Sequence, residues 1–547
     1  MLYFGALFFF FLIKIAYFVQ FNNSFELYLH TLDSEVYLDM AQEIHDGKVI
    51  FAESFNFNPY YPYFLACFKL LSSNLHAVRI LQFIFGMATA IFLFLYAKEK
   101  FSERVAIIAT LLYLFTPTFL FYENTYLPVS HLVLFFILFL YSLEKERYLT
   151  SGVFFGLALL IKPNVLIFLA YFVYHLHRKK SLTDVRKSLV FLSFPFIFSG
   201  LTVVHNYLAE EDFVFIASHG GINFYMGNHE GATGGCVDLA GITTAPGALN
   251  LYDAKNVAEK ESGRTLKSSE MSAFWFRKGL DFARNNVIHF VSLTLRKFYY
   301  IFHKHEIPLN FNFKFVRSNI PLLYVLFINN AILSACFFLS LASVRKVGAN
   351  RSVDVFILFS LSAISIVLFF ISSRYRILCT LMLLMPAAVF IEQFVSFKKL
   401  KMIYCSALFL FLCWCFCIPL SIEPHGFSTV YNNLGRAYAQ QGDWDRAIGF
   451  YEKSLSEDPQ KDIIALFNLS VAHLEKSGRR INRHSRKAFD GFRYILEEDP
   501  EFYNVYNVLG VFYLTSDKEK SKFYFEKSLG INKHQPRIHG LLRGIDK

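Results

Sequence analysis

Asp33, Glu35 and Asp39 crowd into seven positions of the stretch "HTLDSEVYLDMAQEIHDG", shortly after an apolar opening run ends. Arg79 begins another apolar run, Glu123 sits in "FYENTYLP", Lys162 interrupts a third run at "LLIKPN", and Arg374 and Arg376 flank a tyrosine in "SSRYR". Carboxylates so placed can take a proton, and cations so placed can hold an anion. Each residue alone also has a plainer reading, a long side chain reaching from a membrane edge to the headgroups. Paired acids together with "RYR" in a very short loop between apolar runs favour a functional site, because ionisable groups at that depth usually mark one.

The elements that must position these residues are membrane helices. At 547 residues, the chain is 54% hydrophobic with only 18% charged residues, which excludes an ordinary soluble enzyme. Runs near the ~20 residues a spanning helix needs occur at 2–20, 78–97, 104–121, 127–143, 188–205, 320–342, 353–372, 378–396 and 402–420. The segment "SGVFFGLALLIKPNVLIFLAYFVYHL" is long enough for one span, but Lys162, Pro163 and Asn164 at its centre argue for two short helices meeting on one face.

Charge supports that hairpin. With the N-terminus inside, the inner loops hold Lys98, Lys100, Arg104, Lys145, Arg147, Arg178, Lys179, Lys180, Arg186, Lys187, Arg345, Lys346, Arg351, Lys398, Lys399 and Lys401. A single span would move the last 11 of these 16 outside, against the positive-inside bias. The expectation is about 11 membrane segments and an outward C-terminus. Asp33, Glu35, Arg79, Glu123, Lys162, Arg374 and Arg376 then share the outer face.

The loop 206–318 also falls outside and contains "SHGGINFYMGNHEGATGG", with six glycines in the sixteen residues 220–235, which signals tight turns. It is neither a Walker loop nor a dinucleotide fingerprint. His219, His229 and Glu230 could ligate a metal, but at an unspecific spacing. No cofactor is specified by the sequence, and a divalent metal stays open. Asn223 and Asn228 could bond sugar hydroxyls or simply favour turns beside glycine. Most of the eight cysteines, including Cys413, Cys415 and Cys417, lie in apolar runs as small hydrophobes. The opening run reads as a retained anchor without a convincing cleavage site. The net charge of +11 forms no basic stripe, which argues against nucleic acid.

From Pro424 the composition becomes that of a soluble domain. Leu434, Gly435, Tyr438, Ala447, Tyr451 and Pro459 fall in the register of a tetratricopeptide repeat. Leu469, Ala488, Phe492 and Pro500 form a second copy with about six extra residues, and Leu509, Gly510, Tyr513, Phe525 and Ser528 a third. Three repeats suffice for a small α-solenoid with a concave binding face.

The stretches "TLDSEVYLDMAQEIHDG", "NPYYPYFLACFKLL", "HAVRILQFIFG", "FTPTFLFYENTYLPVSHLVLFFI" and "GLALLIKPN" together resemble the N-terminal half of polytopic GT-C fold glycosyltransferases. The likeness is to the protein O-mannosyltransferase and aminoarabinose-transferase group. It covers 1–176 well and 370–390 weakly, the latter through "SSRYRILCTLMLLMP". The resemblance implies inverting transfer of one sugar from a polyprenyl-phosphate carrier to an acceptor outside the membrane. Asp33 matches the family's first-loop acid and would be the general base, with Glu35 assisting. Arg374 and Arg376 would hold the leaving lipid phosphate, with Lys162 and Arg79 as second choices. Lys162 stands where relatives often carry Arg, which weakens a bidentate contact. Glu123 joins the substrate side. Tyr60, Tyr61 and Tyr63 could stack on a sugar or anchor at the interface.

The expected architecture is an all-α membrane protein: 1–205 with a catalytic first outer loop at 21–77, the outer loop 206–318, membrane helices over 319–422, and the repeats over 424–547. The expected partners are a lipid-linked sugar donor, membrane lipid, and a protein or glycan acceptor docked by the repeats. Lean loops and the family shape place it in a bacterial inner membrane, with site and repeats in the periplasm. A surface-polysaccharide ligase or polymerase would want its essential residues in a late outer loop. A non-enzymatic scaffold displaying the repeats would leave "DSE", "KPN" and "RYR" without a role. A transporter would need more ionisable groups at the midplane than this chain offers beyond Lys14.

Overall fold

The computed structural model describes residues 2–51, 53–72, 74–237, 239, 242, 251–309, 311–341, 349–419, 427–457, 463–478, 480 and 482–545. Arg345, Lys346, Pro424, Pro459 and the side chain of Arg351, all used in the sequence reading, lie outside the described residues. Among the described residues the regular structure is entirely helical. Contacts divide the chain into two compact units, one of 1–24, 36–237 and 267–423, the other of 25–35, 238–266 and 424–547. This differs from the linear division expected: a piece of the first loop and a piece of the large loop pack with the C-terminal helices.

In the first unit, helices Val129–Glu144 and Ile377–Phe394 are buried along almost their whole length. They are apolar on all sides, which is the pattern of a helix surrounded by other helices. Helices His76–Lys100, Glu103–Phe115, Tyr148–Ile161, Asn330–Leu341 and Ala349–Val367 pack onto one or both of them. The helix Val185–Glu210 lies against Tyr148–Ile161 at very close range, because a Cβ at Gly152 would overlap the Phe191 carbonyl.

Among the described residues, four stretches are long and apolar enough to cross a membrane: His76–Lys100, Val185–Glu210, Leu322–Leu341 and Ile377–Phe394. Glu103–Phe115 with Pro117–Glu123 makes a fifth if a 60° bend is allowed. Pro117 has no N–H to continue the ladder and holds Thr116 in an extended conformation, which produces the break. Other expected spans appear as shorter apolar helices, among them Leu7–Asn22, Val129–Glu144, Tyr148–Ile161 and Val353–Val367. The break expected at "KPN" is present: one helix ends at Ile161, Lys162 is extended, and Pro163–Phe168 forms a 3₁₀ turn before Leu169–Arg178. Helix Lys399–Cys415 buries no side chain, yet Leu400, Tyr404, Leu410, Phe411 and Trp414 stand open on it. A surface of that kind needs lipid rather than water around it.

At one end of this unit Asp354 is buried and accepts from Lys100 Nζ at 2.6 Å while also pairing with Arg178, and Lys100 pairs further with Glu144. Three of the four side chains, Lys100, Asp354 and Glu144, are buried or nearly so, and together the four join helices that begin far apart in sequence. Removing one member would leave an uncompensated charge. Asp354→Asn is expected to cost about 3 kcal/mol of stability, read as a lowered melting temperature of the detergent-solubilised protein.

The second unit contains three helix pairs: Ser428–Gln440 with Trp444–Glu457, Ile463–Lys476 with Arg483–Glu498, and Tyr503–Tyr513 with Lys518–Ile531. Pro536–Ile545 closes the array. The small residues of the repeat register have visible reasons. Gly435 faces the Tyr451 ring and Gly510 faces the Phe525 ring at distances that a methyl group would violate. Leu474, Ala488, Phe492, Ile495, Val505 and Leu509 share one core that runs from the second pair into the third. The insertion in the second repeat ends in Asn482, whose side chain accepts from the His484 and Ser485 N–H groups and caps the helix.

Candidate functional site

In the first unit, residues from five separate stretches converge around 371–376. The Lys162 ammonium donates to the Tyr375 carbonyl at 3.0 Å and lies 4.7 Å from the centre of the Tyr375 ring. The Arg374 guanidinium lies 5.2 Å from the same ring. Asn58, just before the tyrosine cluster of the first loop, donates to the Ile161 carbonyl at 2.6 Å and so fixes that loop to the residue before Lys162. Asn164 donates to the Ser365 carbonyl at 2.7 Å. The backbone of the last stretch is tied on its other side, Ile371 N to Gly234 O and Ser373 N to Ile307 O, both at 2.9 Å. Three motifs distant in sequence, "NPYYPY", "KPN" and "SSRYR", are therefore hydrogen-bonded into one structure.

Arg376 has a different task from the one its sequence neighbourhood implies. It is buried, and its Nη1 donates to the Tyr300 and His303 carbonyls, both at 2.9 Å. Nη2 donates to the His305 carbonyl at 2.6 Å and to Glu306 at 3.1 Å. The Asn330 amide oxygen, assigned from its hydrogen-bond partners, accepts from Nε at 2.8 Å. All five N–H groups are used inside the protein, which leaves none for a donor phosphate. Glu306 is steadied in turn by Thr118 Oγ1 at 2.8 Å.

A second buried polar cluster takes up Arg79 and Glu123. Glu123 pairs with Lys14 and accepts from the Tyr113 hydroxyl at 3.1 Å, in space left by Gly86, where a Cβ would overlap the carboxylate. Arg79 bonds His76 Nδ1 at 2.6 Å and Asn124 Oδ1 at 3.4 Å, with its guanidinium 4.8 Å from the Phe18 ring. Gln82 donates to the Glu123 and Thr125 carbonyls and accepts from the Tyr61 hydroxyl at 3.0 Å. Arg79, Glu123 and Tyr61 are thus internal ties between membrane helices, and none presents an open face to a ligand. Tyr60 is only half-buried; its ring packs edge-on to buried His131, a residue the sequence reading did not single out.

The large loop supplies supports. Asn228 is buried and donates to the Phe224 and Leu368 carbonyls, both at 2.8 Å, while its Oδ1 accepts from Lys297 at 2.9 Å. This side chain braces the stretch leading to "SSRYR" and is not open to a sugar. Asn223 is half-buried on helix Gly220–Gly227. The ring of His219 bonds the Asn56 carbonyl, and His229 accepts from Gly231 N at 3.1 Å. Among the described residues no three His, Cys, Asp or Glu side chains gather as a metal site.

Lys297 was missed, although its position was legible: Leu293, Lys297, Tyr300 and Ile301 repeat at helical spacing and all are buried on helix Val287–Phe302. Burial lowers the Lys297 amine from its ordinary 10.5 to about 7. Between those values the unfolded chain holds a proton that the folded amine does not. Stability is therefore expected to fall as pH drops from about 10 to about 7 and to level off below, and Lys297→Met should flatten this slope in melting curves.

In the second unit, Asp33 opens helix Asp33–His45 and is 8% exposed. Leu32 before it has φ of +63°, the left-handed region, so the helix start is held against an intrinsic cost of about 1–2 kcal/mol. Glu35 does not stand beside Asp33 as an open helper. Its carboxylate accepts from Arg436 Nη2 at 3.0 Å and from Gln440 Nε2 at 2.6 Å, both on the first tetratricopeptide helix.

Comparison with known proteins gives one family match in each unit. Residues 57–204 match the family model described as dolichyl-phosphate-mannose-protein mannosyltransferase, and residues 430–463 match a tetratricopeptide repeat model. No curated protein matches the chain. Two solved structures are similar at 12% identity: the yeast Tom70 crystal structure, covering 76% of this chain and 88% of that one with a TM-score of 0.22, and the APC/C hetero-tetramer Cut9-Hcn1, covering 79% and 93% with a TM-score of 0.21. At those scores neither bears on the fold. Residues 57–204 are thus similar to a mannosyltransferase model and residues 430–463 to a tetratricopeptide repeat, in a chain with helices long and apolar enough to cross a membrane.

The Arg376 assignment can be checked by substitution. Arg376→Lys retains the charge but loses the planar fork, leaving several carbonyls and Glu306 unsatisfied. A loss of about 3 kcal/mol or more is expected in thermal unfolding.

Proposed function

We propose that this protein transfers one sugar from a polyprenyl-phosphate carrier to a hydroxyl of a protein or glycan acceptor on the outer face of a bacterial inner membrane. The observation that carries the reading is the meeting at Tyr375 of the Arg374 guanidinium and the Lys162 amine, the latter within the stretch 57–204 that matches the mannosyltransferase model. A lipid phosphate leaving the anomeric carbon gains negative charge, and fixed cations stabilise that charge more in the transition state than in the bound donor. Asp33 is assigned as general base. Its carboxylate takes the proton of the acceptor hydroxyl as that oxygen attacks the anomeric carbon, while the bond from that carbon to the phosphate oxygen breaks and its electron pair leaves with the phosphate. One displacement of this kind inverts the anomeric configuration. Tyr60 is the aromatic residue of the first loop offered to the sugar. The about 11 membrane segments and the outward repeats belong to the same proposal, and they put the first loop and the repeats on one side.

The test uses dolichyl-phosphate-mannose as donor with membranes carrying the full chain. Asp33→Asn should lower turnover about 10³-fold at matched expression, with donor binding retained. Lys162→Ala and Arg374→Ala should mainly raise the donor KM and lower kcat together. Wild-type turnover by Asp33→Asn, or no transfer by the wild type from this donor or a panel of other polyprenyl-phosphate sugars, would leave the non-enzymatic scaffold as the better reading.

A further inference from the structure

Three acids from two different loops are gripped by the C-terminal helices. Glu35, from the first loop, meets Arg436 and Gln440 on the first repeat. Asp253 accepts from the Tyr503 hydroxyl at 2.8 Å and from Asn532 Nδ2 at 2.7 Å. Glu259 is met by Lys533 at 2.8 Å and His534 at 2.7 Å, and also accepts from Leu266 N at 2.8 Å. Tyr503 belongs to the third repeat, while Lys533 and His534 follow its last helix. Both ends of the repeat array therefore bind carboxylates of the chain's own loops. Asp253 and Glu259 are buried, and Glu35 is largely covered, so these are built contacts rather than loose surface pairs.

The first of these grips bears on Asp33. Glu35 lies two positions on in the same helix, and residues so spaced point about 200° apart. With the Glu35 carboxylate turned to the first repeat, Asp33 takes a different face of the helix start. The residue before Asp33 is held in the left-handed region, a conformation that an unrestrained leucine would leave. A bidentate hold one turn away is the kind of restraint that keeps such a start in place.

We propose that the tetratricopeptide domain is a positioning element for Asp33: through Arg436 and Gln440 it recognises the chain's own Glu35 and fixes the start of the helix that carries the base. This rests on the base assignment of Asp33 given above. Glu35 is a positioning residue, and the first repeat is occupied by an internal acidic segment rather than by an acceptor.

The experiment is a charge-swap cycle in the full chain, assayed with dolichyl-phosphate-mannose. Arg436→Glu and Glu35→Arg are each expected to lower kcat about tenfold or more, with the donor KM within about twofold of wild type. The double variant with both changes should recover to within about threefold of wild type, since the pair is restored in reverse. Where Arg436→Glu fails to insert, Arg436→Gln and Gln440→Leu supply the same comparison and should show smaller kcat losses at unchanged KM. Unaltered kcat in the single variants, faster turnover in them, or a double variant as slow as the singles would overturn the proposal. These outcomes separate from failure of the base assignment, which shows as no transfer by the wild type or full activity of Asp33→Asn.

Discussion

The arrangement around 371–376 depends on one buried guanidinium. Arg376 spends all five of its N–H groups on the carbonyls of Tyr300, His303 and His305, on Glu306 and on Asn330. These partners belong to the end of the large loop and to a neighbouring membrane helix, so the side chain fastens a short loop between helices to a rigid base. Its charge is balanced by Glu306, and the carbonyls would otherwise be polar groups without partners in an apolar setting. With Arg376 fixed, Tyr375 before it meets Lys162 through its carbonyl and its ring. The pair of arginines in "RYR" thus divides its labour, one holding the loop and one remaining at its surface.

Breaks in helices do the corresponding work on the other strands of chain. Proline at 117 and at 163 removes a donor and forces the preceding residue out of the helix, which lets the backbone turn where an unbroken helix would run on. One break brings Glu123 back to Lys14, the other presents Lys162 to the Tyr375 carbonyl. Irregular backbone at such places is tolerated because its polar groups are met by protein partners such as Asn58 and Asn164.

The C-terminal repeats show the same economy of charge. Their helices bury an ordinary apolar core, and several of their polar side chains meet acids of the chain itself. Charge-assisted bonds to buried carboxylates are strong enough to fix a loop segment to the helix that carries their donors.

The sequence by itself determined the helical class, the apolar runs, the break at "KPN" and the three repeats, because each follows from local rules: apolar length, proline geometry and small residues at fixed spacing. It also marked the motifs that meet around Tyr375. What it could not decide was which member of each motif faces inward. Arg374 and Arg376 look alike in the sequence, as do Asp33 and Glu35, and Arg79 and Glu123 read as open groups although both are internal ties. Those choices depend on partners from elsewhere in the chain, such as Asn124 for Arg79, the His305 carbonyl for Arg376 and Arg436 for Glu35. Only tertiary structure brings such partners into reach, and burial then makes every unsatisfied donor costly enough to settle the question.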